Sequence, residues 1–201
     1  MIDIGVNLSS KRFKGDVADV LTRAVDANVL QMVLTGTSVD ESRAVLSICE
    51  EYSDQFPSML FATCGIHPHD ALSFNTQSLD ALRELAQHPQ MVAIGEAGLD
   101  FNRNLSPAAA QEACFEAQLE LAAELQLPLF LHERDAAKRQ LEILKSYRDE
   151  FNEAVVHCFT GDRKTLFSYL DMDLHIGITG WICDERRGQE LQSLAKNIPL
   201  Q

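Results

Sequence analysis

The ten residues "MVAIGEAGLD", 91–100, decide how the chain is read. Met91, Val92, Ala93 and Ile94 form a run short enough for a strand and apolar enough to be buried on both faces. It ends on Glu96, set between Gly95 and Gly98, which leave the carboxylate in a tight, sterically open place. A strand buried on both faces belongs to a parallel sheet covered by helices, and a carboxylate at its end needs a partner.

The same construction recurs along the chain. Apolar runs at Ile2 to Val6, Gln31 to Thr35, Met59 to Ile66, Met91 to Ile94, Leu127 to Leu131, Ala154 to Phe159 and Leu174 to Ile178 alternate with amphipathic stretches. Ser38 and Glu41 have capping-box spacing, Ser106-Pro107 predicts a cap followed by an N1 proline, and Ser78 is expected to open "LDALRELAQHP". The rhythm is βα, repeated seven times.

Parallel strands need crossover connections, so two architectures compete: an open doubly wound sheet and a closed eight-stranded barrel. The open sheet calls for one glycine-rich phosphate loop, and neither GxGxxG nor a P-loop occurs. Polar residues instead end several different strands, which is how a barrel builds its site. The expected fold class is therefore α/β, a TIM-type (β/α) barrel forming one domain over residues 1–201. Seven strands are one short of closure, and the sequence reaches "AKNIPLQ" where an eighth would be due. The expectation is that the natural polypeptide continues past Gln201, since strands one and seven would otherwise be open edges.

Seventeen Lys plus Arg against thirty Asp plus Glu leave a net charge of −13, which argues against an extended, sequence-independent grip on a polyanion. The five cysteines are odd in number, far apart and without a CxxC pair, the pattern of buried reduced thiols. "MIDIGVNLSS" lacks the start of a signal peptide, and no apolar run reaches the about 18 residues of a membrane span. A cytoplasmic monomer with no membrane partner is expected.

Four strand ends carry ligand-type side chains: His67 and His69 in "GIHPHD", Glu96, His132 in "LFLHERD" and His157 in "VVHCFTG". In a barrel all of them point into one mouth. Neutral imidazoles with a carboxylate are a divalent-metal set, and a cation would account for Glu96. The competing reading pairs Glu96 with Arg103 or Arg134 in a structural ion pair. His69 is either a phosphate contact or a residue capping its own loop. Arg103 and Arg134 follow the candidate ligands closely and either reach substrate phosphates or are solvated surface arginines. In "CDERRGQEL", Asp184 and Glu185 read as the acidic first turn of a helix, with Arg186 and Arg187 on the same rim. Trp181 and Phe101 could stack a base, although core packing suits Phe101 better, and Cys158 reads as packing rather than as a nucleophile.

The stretches "DIGVNL", "GIHPHD", "VAIGEAGLDF", "LFLHERDA", "VVHCFTG" and "GITGWICDERRG" resemble, in order and spacing, the TatD family of metal-dependent deoxyribonucleases. The resemblance implies a TIM-type barrel of the metallo-dependent hydrolase kind. It also implies a 3′ to 5′ exonuclease that prefers single-stranded DNA or RNA, with a place in DNA repair or degradation. By motif, Glu96, His132 and His157 would be the metal ligands. His67, with Glu96, would be catalytic, contacting the scissile phosphate or a second metal. His69, Arg103 and Arg134 would bind substrate. Mg²⁺ is the metal the resemblance implies, whereas ligand type alone also admits Mn²⁺ or Zn²⁺. Many relatives open with a His-x-His pair where this chain has Gly5 and Asn7, which would weaken one metal position. Relatives also carry a strand-eight aspartate, ligand and base, in an "ETDAPYL"-like stretch that would begin past Gln201. Two other functions are compatible with barrel and metal set: hydrolysis of a small ester, lactone or amide, and a non-catalytic binding or scaffold role.

Overall fold

The computed structural model describes residues 1–199. Seven parallel strands lie in chain order in one sheet: β1 (Ile2–Val6), β2 (Gln31–Leu34), β3 (Leu60–Cys64), β4 (Met91–Asp100), β5 (Leu129–Arg134), β6 (Ala154–Val156) and β7 (His175–Ile176). Each is followed by a helix: α1 (Val17–Asp26), α2 (Val39–Glu51), α3 (Thr76–Leu85), α4 (Ala108–Leu125), α5 (Ala137–Tyr147), α6 (Arg163–Leu170) and α7 (Gln189–Ala195). Consecutive strands pair without skips, the order of a (β/α) barrel rather than of a doubly wound sheet. Among the described residues β1 and β7 are not paired with each other, so the sheet is an open half-barrel.

The strands run apolar because both faces are covered: Leu34, Leu60, Ile94, Leu129 and Leu131 are all at most 2% exposed. Helix α4 turns a wide face inward, burying Cys114, Phe115, Leu119, Leu121 and Ala122, and with them Gln111 and Gln118. No helix among the described residues is long and apolar enough to cross a membrane.

The largest departure from the sequence expectation is in β4, which continues six residues past Ile94 to Asp100. Gly95 and Gly98 sit at φ +139° and +143°, and a Cβ there would lie 2.1 and 2.0 Å from the backbone oxygens of Phe130 and His132. The glycines are therefore the condition for β5 to lie against β4, where a sequence reading takes them as the end of the strand. Glu96 has no partner on β5, because the pairing steps from Gly95–Phe130 to Ala97–Leu131. A bulge of this kind re-aims a side chain.

Three helix starts also differ. Helix α3 begins at Thr76 with Asn75 as its cap, and Ser78 completes a capping box instead of opening the helix. Pro107 is itself the cap residue of α4. Ser106, expected to cap, is buried and ties down the loop, accepting the Leu72 N–H and donating to the His69 carbonyl. Asp184 closes a 3₁₀ turn, Gly180–Cys183, and α7 starts only at Gln189, so "CDE" is not the first turn of a helix. Asp184 is held instead by the backbone N–H groups of Arg186 and Arg187 and by the Arg187 guanidinium. Ser38 does cap α2 as expected, but Glu41 turns away from the cap to accept a hydrogen bond from Ser9.

Candidate functional site

Three imidazoles converge on one carboxylate oxygen at the C-terminal ends of the strands. Glu96 Oε1 lies 2.9 Å from His132 Nδ1, 3.5 Å from His157 Nε2 and 3.7 Å from His67 Nε2. Glu96 is 7% exposed, at a depth where a lone carboxylate would be costly. Among the described residues its ionic partners are these histidines, and neither Arg103 nor Arg134 pairs with it. The ion-pair reading of Glu96 is thereby overturned: Arg103 lies beyond the end of β4 and Arg134 is the last residue of β5, both at the rim, while the bulge turns Glu96 toward the histidines.

His132 is delivered by β5, whose backbone pairs it with Gly98. His157 follows β6, and its ring stacks on Phe130 with centroids 4.9 Å apart. It also occupies the space above Gly5, where an added Cβ would lie 2.9 Å from His157 Nδ1. A side chain at the first of the two β1 positions would thus collide with His157 as it is placed here. His67 caps a 3₁₀ turn, Pro68–Ser73, its Nδ1 accepting the N–H of His69 at 3.1 Å. A neutral His67 ring must then carry its proton on Nε2, aimed at Glu96.

His69 neither caps its own loop nor faces open solvent with its ring. Its Nε2 lies 2.6 Å from Asp100 Oδ2, and His132 Nε2 approaches the same oxygen at 3.4 Å. Asp100, 3% exposed, is the site residue that sequence reasoning missed. The available signal was position: once β4 is known to continue, Glu96 and Asp100 stand four residues apart on one strand whose residues alternate between faces.

The electrostatics follow from burial and neighbours. Burial pulls the pKa of His67 down to about 4, against the opposing pull of Glu96. His157 is lowered for the same reason. For His132, burial acts downward too, but the hydrogen bond and charge of Glu96, reinforced by Asp100, outweigh it and leave the pKa raised. Burial would raise both carboxylates. In Glu96 it is overcome by His132 and the other two rings, and in Asp100 by the Arg103 N–H and by His69 and His132, so both are lowered.

The donor atoms of His67, Glu96 and His132 all lie within 4.8 Å of one another, and His157 meets the same Glu96 oxygen from a further direction. Imidazole nitrogens around a carboxylate are a donor set that suits a divalent cation, and the residues present fit one.

Outside this cluster the predicted residues are spread along the rim. The Arg103 side chain is exposed, and its backbone N–H donates to Asp100 Oδ1 at 2.9 Å. The guanidinium groups of Arg187 and Arg134 lie 4.1 and 5.1 Å from the centroid of the Trp181 ring. Phe101 packs against the core, as expected. Cys158 Sγ lies 3.4 Å from Thr179 Oγ1, with no histidine as its partner.

Solved structures of the same shape define the class first, that of TIM-barrel-like hydrolases. The chain superimposes on a TatD-family hydrolase from Entamoeba histolytica with a TM-score of 0.89 at 27% identity, covering 99% of this chain and 70% of that one. A TatD homologue from Escherichia coli gives a TM-score of 0.87 at 28% identity, covering 99% and 75%. Residues 2–201 match the family described as TatD related DNase, and the chain belongs to that family. Among its relatives, a 3′-5′ ssDNA/RNA exonuclease TatD of Citrobacter koseri is 49% identical over 199 residues, 99% of this chain and 75% of the relative. A protein of the same description from Yersinia pseudotuberculosis is 50% identical over 201 residues, 100% of this chain and 76% of the relative. The family and the His/Glu cluster together imply a divalent metal.

Proposed function

We propose that this chain is a metal-dependent phosphodiester hydrolase that removes nucleotides from the 3′ end of single-stranded DNA or RNA. The observation that carries the reading is the convergence of His67, His132 and His157 on one oxygen of the buried Glu96. Its support comes from the TatD related DNase family and from relatives about half identical to the chain.

In this reading Glu96, His132 and His157 hold the cation, and Mg²⁺ is the metal proposed. When bound, the cation supplies Lewis-acid polarisation of the phosphate and an acidified water at neutral pH. His67 acts beside it: with Nδ1 engaged by the His69 N–H, its Nε2–H is a donor for a non-bridging phosphate oxygen. Its lowered pKa keeps it a neutral donor at pH 7, so the binding site is not closed to a cation by a second fixed positive charge. Arg103 and Arg134 meet flanking phosphates from the rim. The net charge of −13 is compatible with this chemistry because the positive potential is local to the site, while the remainder disfavours extended polyanion binding.

The test is digestion of a 5′-labelled single strand with Mg²⁺, with EDTA and Glu96→Ala as controls. A ladder shortening from the 3′ end, abolished by both controls, is the expected result. An intact oligonucleotide alongside turnover of small esters or amides would replace the nuclease reading with the small-substrate one. The expected setting, a cytoplasmic monomer acting in DNA repair or degradation, is checked by size-exclusion chromatography, fractionation and the damage sensitivity of a deletion strain.

A further inference from the structure

A closed circuit of contacts runs from Glu96 to His132, on to Asp100, to His69, through the His69 N–H to His67, and back to Glu96. We propose that Asp100 is the positioning residue of this circuit. It holds the proton of His132 on Nε2, so that the Nδ1 lone pair faces the cation position beside Glu96, and it braces His69 so that His67 is oriented in turn. The inference rests on the metal-dependent reading and deepens it.

The geometry leaves Asp100 little freedom to do anything else. Its backbone N–H and carbonyl are both engaged by Gln111, at 2.8 and 3.1 Å. Oδ1 accepts the Arg103 N–H at 2.9 Å, which fixes the rotation of the carboxylate and leaves Oδ2 for the two imidazoles. An ionised carboxylate only accepts, so each imidazole must present an N–H to it. In a neutral His132 ring a proton on Nε2 leaves Nδ1 unprotonated, 2.9 Å from Glu96 Oε1. Histidines that ligate metals commonly donate their other N–H to a carboxylate, which sets tautomer and ring orientation.

The discriminating variant is Asp100→Asn. The Arg103 N–H demands an acceptor at the Oδ1 position, so the carboxamide oxygen is held there and its NH₂ takes the place of Oδ2. A donor then faces His132 Nε2, and the ring answers by moving its proton to Nδ1, into the cation position. The expected result is Mn²⁺ binding weaker by about 10–100-fold, measured by the free-ion signal in electron paramagnetic resonance. Nitrogen-15 spectra of histidine-labelled protein should show the His132 proton on Nε2 in the Mg²⁺-loaded parent and on Nδ1 in the variant. Mn²⁺ affinity within twofold of the parent in a folded Asp100→Asn protein would overturn the proposal. Should that variant fail to fold, the parent alone still decides: a Mg²⁺-loaded His132 protonated on Nδ1 would overturn it. A parent that binds Mn²⁺ and shows the asparagine effect, yet leaves oligonucleotides intact, would uphold Asp100 and remove the nuclease reading.

Discussion

The middle of the sheet and its β6–β7 side are built differently. Strands β4 and β5 run ten and six residues, whereas β6 and β7 run three and two. Behind the middle stand three fully buried glutamines that clamp the backbone carrying the site. Gln118 accepts the Ile66 N–H at 2.8 Å and donates to the Ile66 carbonyl at 3.0 Å, one residue before His67. Gln111 does the same for Asp100, and Gln140 accepts the Leu99 N–H at 3.0 Å. The rim is different: Trp181 and Arg187, beyond β7, and Arg134, at the very end of β5, lie at the partly or fully exposed surface. The difference teaches that the backbone beside His67 and Asp100 is locked from behind, whereas Arg134, Trp181 and Arg187 stand at the exposed rim; in the proposed function the first arrangement serves the chemistry and the second the grip on a flexible strand.

The comparison breaks first at Glu96. Glu96→Gln removes the charge around which the histidines gather, and kcat/KM on a single-stranded oligonucleotide is expected to fall by at least about 10³-fold, several kcal/mol of lost stabilisation. A loss under tenfold would mean that the centre of the sheet does not carry the chemistry. Gln118→Leu sharpens the idea of the clamp. It strands the Ile66 N–H and carbonyl, so urea unfolding should report a loss of about 1–3 kcal/mol, with activity falling because His67 is freed. Unchanged stability together with unchanged activity would show that the strand end holds itself.

Metal uptake supplies a third contrast. The raised pKa of His132 keeps a proton on the ring that a cation must displace, so the proton competes below that pKa and ceases to compete above it. Mn²⁺ affinity should therefore rise by up to about tenfold per pH unit as the pH climbs through the ordinary imidazole range, and level off only above the raised pKa of His132. Affinity flat across that range would mean that His132 is not a ligand. The smallest effect belongs to the rim. Trp181→Ala should raise KM several-fold with kcat nearly unchanged, at the lower end of the about 1–3 kcal/mol of a base–aromatic contact, because the Arg134 and Arg187 guanidiniums already sit over the ring. A fall in kcat with KM unchanged would move Trp181 from the rim into the chemistry.

Much of the site was legible in residue order because the architecture is periodic. Once a chain alternates strand and helix, each strand end is delivered to the same edge of the sheet, and His67, Glu96, His132 and His157 meet without any knowledge of distances. Helix starts were less legible. Asn75 and Ser78 are both competent caps, and only the course of the preceding loop decides which of them stands at the first turn. Asp100 escaped for a related reason, since "GEAGLD" has the composition of a turn.

The sequence by itself determined the seven βα units, the strands that end in ligand-type side chains, and the family, because apolar period and residue type are local properties written residue by residue. Tertiary structure alone decided that β4 runs on through its glycines against β5, that His157 fills the space above Gly5, and that Asp100 joins His69 to His132. These are contacts between segments thirty or more residues apart, formed where hydrogen bonds from a neighbouring strand outweigh a local preference for a turn.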